Sequence, residues 1–542
     1  VSLVITVDNG ISAINEVAFA NEIGLDIIIT DHHLPKREIP AALAVVDPLQ
    51  KDDTSPCKIL AGVGVAFKLV CALEGVPCEE MLDYYADFVC TGTVADLMLL
   101  AGENRTLVKA GLEILNTAPR CGFESLIKIS GLAGKEVTSE NIAYTIAPRI
   151  NAAGRMSDAT SALELLLSED EEDADNLAAF LDSENRKRQE TQNIMAEDIT
   201  NELQDNADML KDRVIVVWGD HYHPGVVGIV ASRLVEKYSR PAIVFTRDGE
   251  EYKGSGRSVP AFSLHNALEN TKEYLIRFGG HELAAGLAAE KENLENFRRA
   301  INEFANGNEK MSKTADLDID CLVSLDEINV TSVSQIDFVA PFGNGNPSPL
   351  FMAKGVQITA VFPVSDGKHV RIKMRQGNHI SQGIMFNVSP AEFAYKPGDY
   401  IDVCFSLSIF QSENGDMVSM RIKEVRPVGM NEKMIEDYDI YRLFINDFNL
   451  SQSKKELLCP VRNDVVLIYR KIMADKVNCD DLRPLFCAFN TMSSGKIQVI
   501  IDILLDLGLI EPVRTDIMNY YAPVAVKDKK DLMSSKILLA LQ

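Results

Sequence analysis

At 542 residues, 46% hydrophobic and 25% charged, the chain exceeds one ordinary core and contains no apolar run able to cross a bilayer, which predicts several domains and indicates neither disorder nor a membrane span. The formal net charge of −25 excludes a surface coated in cations, so any nucleic-acid contact is expected in a confined groove, because Lys and Arg neutralising phosphate supply most non-specific affinity. The 10 cysteines lie singly without a C-x-x-C pair, which argues against a zinc knuckle or disulfide framework and for a reducing, cytoplasmic setting.

The chain opens on Val1-Ser2-Leu3-Val4-Ile5-Thr6-Val7, which reads as a buried strand without an initiator Met or a signal-peptide layout, and a preceding segment is expected. Strands at Leu3 to Val7, Asp26 to Thr30 and Ala44 to Val46 alternate with helical sequence at Ser12 to Ile23 and a turn at Pro35, the pattern of a parallel sheet with crossovers. Each strand runs into an acid, Asp8, Asp31 or Asp47, and ligands of open parallel sheets bind beyond the carboxyl ends of the strands, so these acids converge on one edge. Ala61 to Leu115 reads as mostly helical, and Ala159 to about Leu210 as a polar helical connector with a long charged helix around Glu184 to Asn201. A second α/β unit begins at Val214-Ile215-Val216-Val217, with helices expected at Val226 to Tyr238 and Glu292 to Phe304 and a strand at Ala242 to Thr246. Asn306 to Thr314 reads as a linker. Alternating strands with Asp-Gly, Gly-Asn and Asn-Gly turns from Phe351 to about Val428 predict a small β barrel or sandwich. Asn431 to Gln542 reads as helical, with an amphipathic run at Lys496 to Leu507, in a helix-turn-helix or winged-helix module.

Asp31-His32-His33 places mixed oxygen and nitrogen donors at a strand end, a set suited to manganese or iron; by itself the triplet reads equally as a polar loop with an N-capping Asp. Asp8, in Val7-Asp8-Asn9-Gly10, is a bridging carboxylate or a turn residue, and Asp96, closing Gly92-Thr93-Val94-Ala95-Asp96, is a further ligand or a helix-terminal acid.

The order V-D-N-G, D-H-H, G-T-V-A-D resembles the DHH phosphoesterase family, and its RecJ branch in particular. The resemblance implies that Asp8, His32 and Asp96 are metal ligands, that His33 faces the scissile phosphate, and that Asp31 orients the histidines as an acceptor behind them. The family's earlier D-x-D motif, which supplies further ligands, is not present in this sequence, which implies an N-terminally truncated reading of a longer protein.

Arg149-Ile150-Asn151-Ala152-Ala153-Gly154-Arg155 is similar to the motif that closes the first domain of the family, and implies phosphate contacts from Arg155 and Arg149 through the planar guanidinium fork; a loop with surface arginines is the alternative. In the second domain, the stretches His223 to Ile229, Gly254 to Ser258 and Gly279 to Gly286 resemble the DHH-associated domain, where Ser255 and Arg257 would bind a terminal 5′-phosphate and His281 and His223 would contact substrate. His281 reads almost equally as a buried histidine bonded to backbone. Pro341 to Phe351 resembles the entry to an oligonucleotide-binding barrel. Within that barrel Lys368, Arg371, Lys373 and Arg375 are candidates to track a DNA backbone, with Phe386 or Phe405 as stacking platforms; exposed cations and core aromatics are the competing reading.

The resemblance thus implies an α/β protein with a parallel-sheet DHH domain (1–158), a helical connector (159–210), a smaller α/β DHH-associated domain (211–310), an OB-like β barrel (315–428) and a helical module (429–542). The implied activity is 5′-to-3′ hydrolysis of single-stranded DNA with two Mn2+ or Mg2+ ions, in recombination and repair, with single-strand-binding protein and a RecQ-type helicase as partners and no membrane. The alternatives are a phosphodiesterase of the same family acting on short oligonucleotides or cyclic dinucleotides, and a non-catalytic DNA-binding scaffold.

Overall fold

The computed structural model describes residues 1–541 apart from 36–37, 207–208, 210–211, 307, 309–313, 315, 413–414, 447–449 and 527–528. The linker expected at Asn306 to Thr314 and the turn at Asn414-Gly415 therefore lie mostly outside the described residues. The chain divides into two compact units, one of Val1–Glu197 with Asp337–Ser348, the other of Asp198–Ile336 with Pro349–Gln542.

The first unit begins with β1 (Leu3–Val7), α1 (Ile14–Glu22), β2 (Asp26–Thr30) and β3 (Ala44–Val46), forming a parallel sheet of order β1-β2-β3. Val17 and Ala20 of α1 bury against Ile27 and Ile29 of β2, and burying each valine or isoleucine contributes about 1.5–3 kcal/mol. Beyond the strands the ladder continues: Asp8 N–H donates to the Thr30 carbonyl at 3.0 Å and Asp31 N–H to that of Val46 at 3.0 Å. These bonds set the strand-end acids in register.

The helices α2 (Gly62–Glu74), α3 (Cys78–Ala95), α4 (Gly102–Thr117) and α5 (Cys121–Ile129) follow. After the single turn α6 (Ser139–Asn141), a π-helical stretch at Ile142–Ile146 leads into α7 (Ala147–Met156) just before Pro148, whose missing N–H removes one regular helical bond. Then come α8 (Thr160–Leu167) and α9 (Glu171–Asp205). At 35 residues α9 extends past both ends of the helix expected at Glu184 to Asn201; Glu171, Glu172 and Asp173 complement the dipole at its N-terminus, and Ala174, Ala178 and Leu181 enter the core.

In the second unit, β4 (Ile215–Gly219), α10 (Val227–Tyr238), β5 (Ala242–Asp248), β6 (Glu251–Arg257), α11 (Leu264–Asn270), β7 (Arg277–Gly280), β8 (Ala284–Ala289) and α12 (Leu294–Asn306) build a sheet of order β4-β5-β6-β8-β7. After β9 (Cys321–Leu322) and α13 (Val330–Ser334), the strands β10 (Phe351–Val364), β11 (His369–Gln376), β12 (His379–Met385), β13 (Tyr400–Ser412) and β14 (Gly415–Pro427) close a barrel, since β10 pairs with both β11 and β13 while β12 pairs with β14. On β11, Val370, Ile372 and Met374 enter the barrel core, leaving Arg371, Lys373 and Arg375 together on the exposed face. Phe386 is exposed beside His369 and the Arg421 guanidinium, whereas Phe405 is fully buried in the barrel core, which removes it as a stacking platform.

The chain ends with α14 (Glu432–Ile445), α15 (Gln452–Leu458), α16 (Arg462–Ala474), β15 (Val477–Asn478), α17 (Arg483–Ala488), α18 (Ser494–Asp506), β16 (Ile510–Val513), β17 (Tyr520–Pro523) and α19 (Lys536–Leu541). Helix, strand, two helices and a hairpin, from α16 to β17, is the winged-helix order. The apolar run read as amphipathic is instead covered on both faces: Ile497, Ile500, Ile501 and Leu504 of α18 face one core, Val499 and Ile503 another. The helix that such modules commonly lay in a DNA groove is here enclosed by protein.

Gly111 of α4 lets that helix approach α3, because a Cβ there would lie 2.1 Å from the Ala86 carbonyl oxygen. We expect Gly111→Ala to destabilise the first unit by about 1–3 kcal/mol through overpacking, read as a lowered unfolding midpoint. Gly154→Ala in α7, whose nearest contact would be an ordinary 3.7 Å, should be neutral or stabilising.

Candidate metal centre and phosphate pocket

At the carboxyl end of the parallel sheet, His32 Nε2 lies 2.9 Å from Asp8 Oδ1 and 3.4 Å from Asp96 Oδ2. Asp8 leaves β1 with a left-handed backbone (φ 64°), a conformation Asp tolerates better than most residues, and Gly10 completes the turn at φ 110°. Asp96 is the residue that ends α3, and Leu97 after it is again left-handed at φ 55°. The His32 ring is buried; its Nε2 lies within ion-pair distance of both carboxylates without a well-directed hydrogen bond to either, and its Nδ1 has no hydrogen-bond partner among the described residues. A buried nitrogen facing half-exposed carboxylates, with His33 in the same cluster, fits a divalent cation with mixed nitrogen and oxygen preference.

The glycine Gly62 that opens α2 belongs to this cradle, since a Cβ on it would fall 2.3 Å from Asp8 Oδ1. No pattern in the sequence singled it out, because the contact joins two distant segments.

Asp31 sits behind the cluster, 1% exposed. Its Oδ2 accepts the Ile11 N–H at 3.0 Å; its Oδ1 accepts the His32 N–H at 2.8 Å and the His33 N–H at 3.2 Å, and meets His33 Nδ1 at 2.7 Å. Burial alone would raise its pKa, but these bonds, led by that from Ile11, together hold the carboxyl below its ordinary value. The expected orientation of both histidines is thus direct for the His33 ring, while for His32 it acts on the backbone N–H. His33 responds in the opposite sense: burial lowers its pKa, yet the bond to Asp31 and the charges of Asp31, Asp8 and Asp96 together raise it. Burial pushes Asp96 up, partly offset by His32. Asp47, the third strand-end acid, is buried, binds the Leu49 N–H at 2.8 Å, and lies outside the ligand cluster.

Arg149 is half-committed to structure: its guanidinium binds Asp182 at 2.9 Å and the Thr145 carbonyl at 2.7 Å. Arg155 is exposed in the last turn of α7. The sequence reading passed over Arg188 on α9, whose pKa is lowered by burial and then by the like charge of Arg155, so the two guanidinium groups are neighbours.

In the second unit, Ser255 and Arg257 project from β6 beside the N-terminus of α10. Arg257 Nη1 donates to Ser255 Oγ at 3.0 Å, and a Cβ on Gly228 would lie 3.0 Å from that oxygen and 3.2 Å from Arg257 Nη2, so the glycine keeps this corner open. Backbone N–H groups of the first turn of α10 add positive potential. His223 Nδ1 accepts the Gly225 N–H at 3.1 Å, bracing the turn into α10. His281 is exposed; its N–H donates to the Ala284 carbonyl at 2.8 Å, and Ala284 pairs with Arg257 across β8 and β6.

Two outcomes test this geometry. In a histidine NMR titration of the metal-free protein, His33 should titrate above a free histidine, and Asp31→Asn should bring it down. Gly62→Ala should weaken Mn2+ binding several-fold by displacing Asp8, with little change in the fold.

A model of the DHH family N-terminal domain matches residues 2–93, one of the DHHA1 domain residues 211–307, and one of the RecJ OB domain residues 319–424. The single-stranded-DNA-specific exonuclease RecJ of Bacillus subtilis is 38% identical over 429 residues, covering 78% of this chain and 54% of that protein, so the chain spans about half the length of this relative. The RecJ exonuclease of Dickeya dadantii is 30% identical over 450 residues, covering 79% of this chain and 77% of that protein. The crystal structure of Thermus thermophilus RecJ in complex with Mn2+ matches with a TM-score of 0.67 at 29% identity, over 80% of this chain and 62% of that one; the Mg2+ complex matches at 0.61 and 27%, over 79% and 62%. On the identity shared with the Dickeya protein over 77% of its length, and on the three domain matches, the chain belongs to the RecJ family of DHH proteins.

Proposed function

We propose that this chain carries the metal-holding and 5′-end-binding parts of a 5′-to-3′ exonuclease for single-stranded DNA. The observation that carries the reading is the convergence of Asp8 and Asp96 on the buried, unbonded Nε2 of His32. Asp8, His32 and Asp96 would hold a divalent ion, Mn2+ or Mg2+; the arrangement with two ions is implied by the family. Such an ion, when bound, neutralises phosphate charge and acidifies water, the chemistry that phosphodiester hydrolysis needs.

The chain's own residues do the rest. His33 has Nδ1 engaged by Asp31, which leaves Nε2 to face a phosphate, as a donor to its oxygen when the ring is protonated and as an acceptor when it is neutral. Ser255 and Arg257, with the open corner at Gly228, suit the dianion of a terminal phosphate and would make cleavage start at the 5′ end. The cationic face of β11 and the Phe386–Arg421 pair on the barrel suit a single strand through backbone charge and base stacking. Free thiols at all 10 cysteines agree with a cytoplasmic setting. Single-strand-binding protein and a RecQ-type helicase remain partners by family resemblance alone, testable by pull-down from a bacterial extract.

The test combines binding and digestion. Mn2+ titration should show saturable binding that His32→Ala abolishes. A 5′-phosphorylated oligonucleotide should bind more tightly than its 5′-hydroxyl form, and Arg257→Ala should erase a preference of roughly tenfold to a hundredfold, the worth of a hydrogen bond to a charged group. With Mn2+, this chain joined to a segment that supplies the D-x-D ligands should shorten a 5′-phosphorylated strand labelled at its 3′ end from its 5′ end, whereas the chain alone should leave it intact. Cleavage confined to dinucleotides would favour a small-substrate phosphodiesterase, and DNA binding without Mn2+ binding would favour a scaffold.

A further inference from the structure

The segment Asp337–Ser348 interrupts the second unit in sequence yet packs with the first. It is a short strap with its own internal order. Gly343 and Asn346 form an antiparallel bridge, and the Asn346 carboxamide donates to the carbonyls of Val339 and Pro341, both at 2.8 Å. The strap is anchored by Arg105, which donates to the Ala340 carbonyl at 2.7 Å, and by Ser139, whose hydroxyl donates to the Phe342 carbonyl at 2.6 Å.

Just beyond those anchors the strap meets the turn that follows Asp96. Asn344 Nδ2 donates to the Leu97 carbonyl at 2.6 Å, and the Leu100 N–H donates to the Asn344 carbonyl at 2.7 Å. Gly343 and Gly345 permit this approach, since a Cβ on either would fall 2.6 Å from Leu100 Cδ1 or 2.9 Å from Leu99 Cδ2. One residue thus brackets a four-residue turn, Leu97 to Leu100, with its side chain and its main chain. Leu97 is left-handed, a state that a leucine resists; its N–H to the Val94 carbonyl at 3.1 Å and the Met98 N–H to the Thr93 carbonyl at 3.2 Å close the helix end locally, and the Asn344 carboxamide adds the bond to the Leu97 carbonyl that the helix itself does not supply. Asp96 precedes Leu97 directly, at the C-terminal cap of α3, where its carboxylate reaches toward His32.

We propose that Asn344 is a positioning residue for the metal centre: by holding Leu97 in its left-handed conformation it fixes the end of α3 and presents the Asp96 carboxylate beside His32. The sequence reading of this stretch as the entry to the barrel described its neighbours in the chain, whereas its contacts are with the turn behind a metal ligand. The inference rests on Asp96 being such a ligand.

Mn2+ affinity, followed by the electron paramagnetic resonance of free Mn2+, is compared with the unfolding midpoint in the parent and three variants. Asn344→Asp, isosteric but lacking the donor, should weaken Mn2+ binding roughly three- to tenfold with the midpoint near that of the parent. Ser139→Ala, which loosens the strap elsewhere, should lower the midpoint and leave the affinity unchanged. Asp96→Ala should lose more affinity than Asn344→Asp. If Asp96→Ala binds Mn2+ like the parent, the ligand assignment itself fails. If Asp96→Ala weakens binding while Asn344→Asp does not, or if Ser139→Ala weakens it as much as Asn344→Asp, the role of Asn344 is overturned.

Discussion

A carboxylate almost sealed from solvent at the end of β2 is the constraint on which the metal centre depends. Burial penalises charge on Asp31, and the Ile11 N–H, the N–H groups of both histidines and the His33 ring, all pointing at it, outweigh that penalty and hold its carboxyl below the ordinary value. Each of those bonds fixes something the site needs. Ile11 ties down the turn after Asp8, the N–H of His32 sets where its ring departs from the chain, and the bond from Asp31 fixes the His33 ring through its Nδ1. The parallel ladder, continued past the strands by Asp8 to Thr30 and Asp31 to Val46, holds that arrangement to the sheet.

Around this point the chain is bent into backbone states that cost energy, and close packing holds them. Asp8 and Leu97, the residue after Asp96, are both left-handed. Gly62 gives way to the Asp8 carboxylate and Gly92 to Val63, so α2 settles against both the first strand and the helix that ends in Asp96. Strain at functional sites persists where the surroundings overdetermine it, and here the surroundings include a strap from far along the sequence.

The remaining domains resolve a tension set by composition. A chain of net charge −25 repels polyanions at long range, so binding has to rely on local groups. Strand alternation in the barrel sorts Arg371, Lys373 and Arg375 onto one exposed face. Ser255 and Arg257 of β6 meet beside Gly228 in the first turn of α10, the corner proposed for a terminal phosphate. By contrast, the winged-helix module has buried the helix that might have read DNA, so its order of elements does not carry the usual mode of binding.

Much of this was legible in the sequence, because alternation and strand-end chemistry are local signals. Strand, helix, strand ending in Asp8 and in Asp31-His32-His33 determined the parallel sheet and the edge where the donors gather, and the alternation and turns from Phe351 determined a small barrel or sandwich, which the pairing of β10 with both β11 and β13 closed into a barrel. The tertiary structure alone decided what lies between distant segments. It withdrew Phe405 into the barrel core, tied Arg149 to Asp182, brought Arg188 beside Arg155 and set Asn344 behind Asp96. The physical reason is that period and propensity describe which face of an element is apolar, whereas the use of a given side chain depends on partners tens or hundreds of residues away, whose approach is governed by packing.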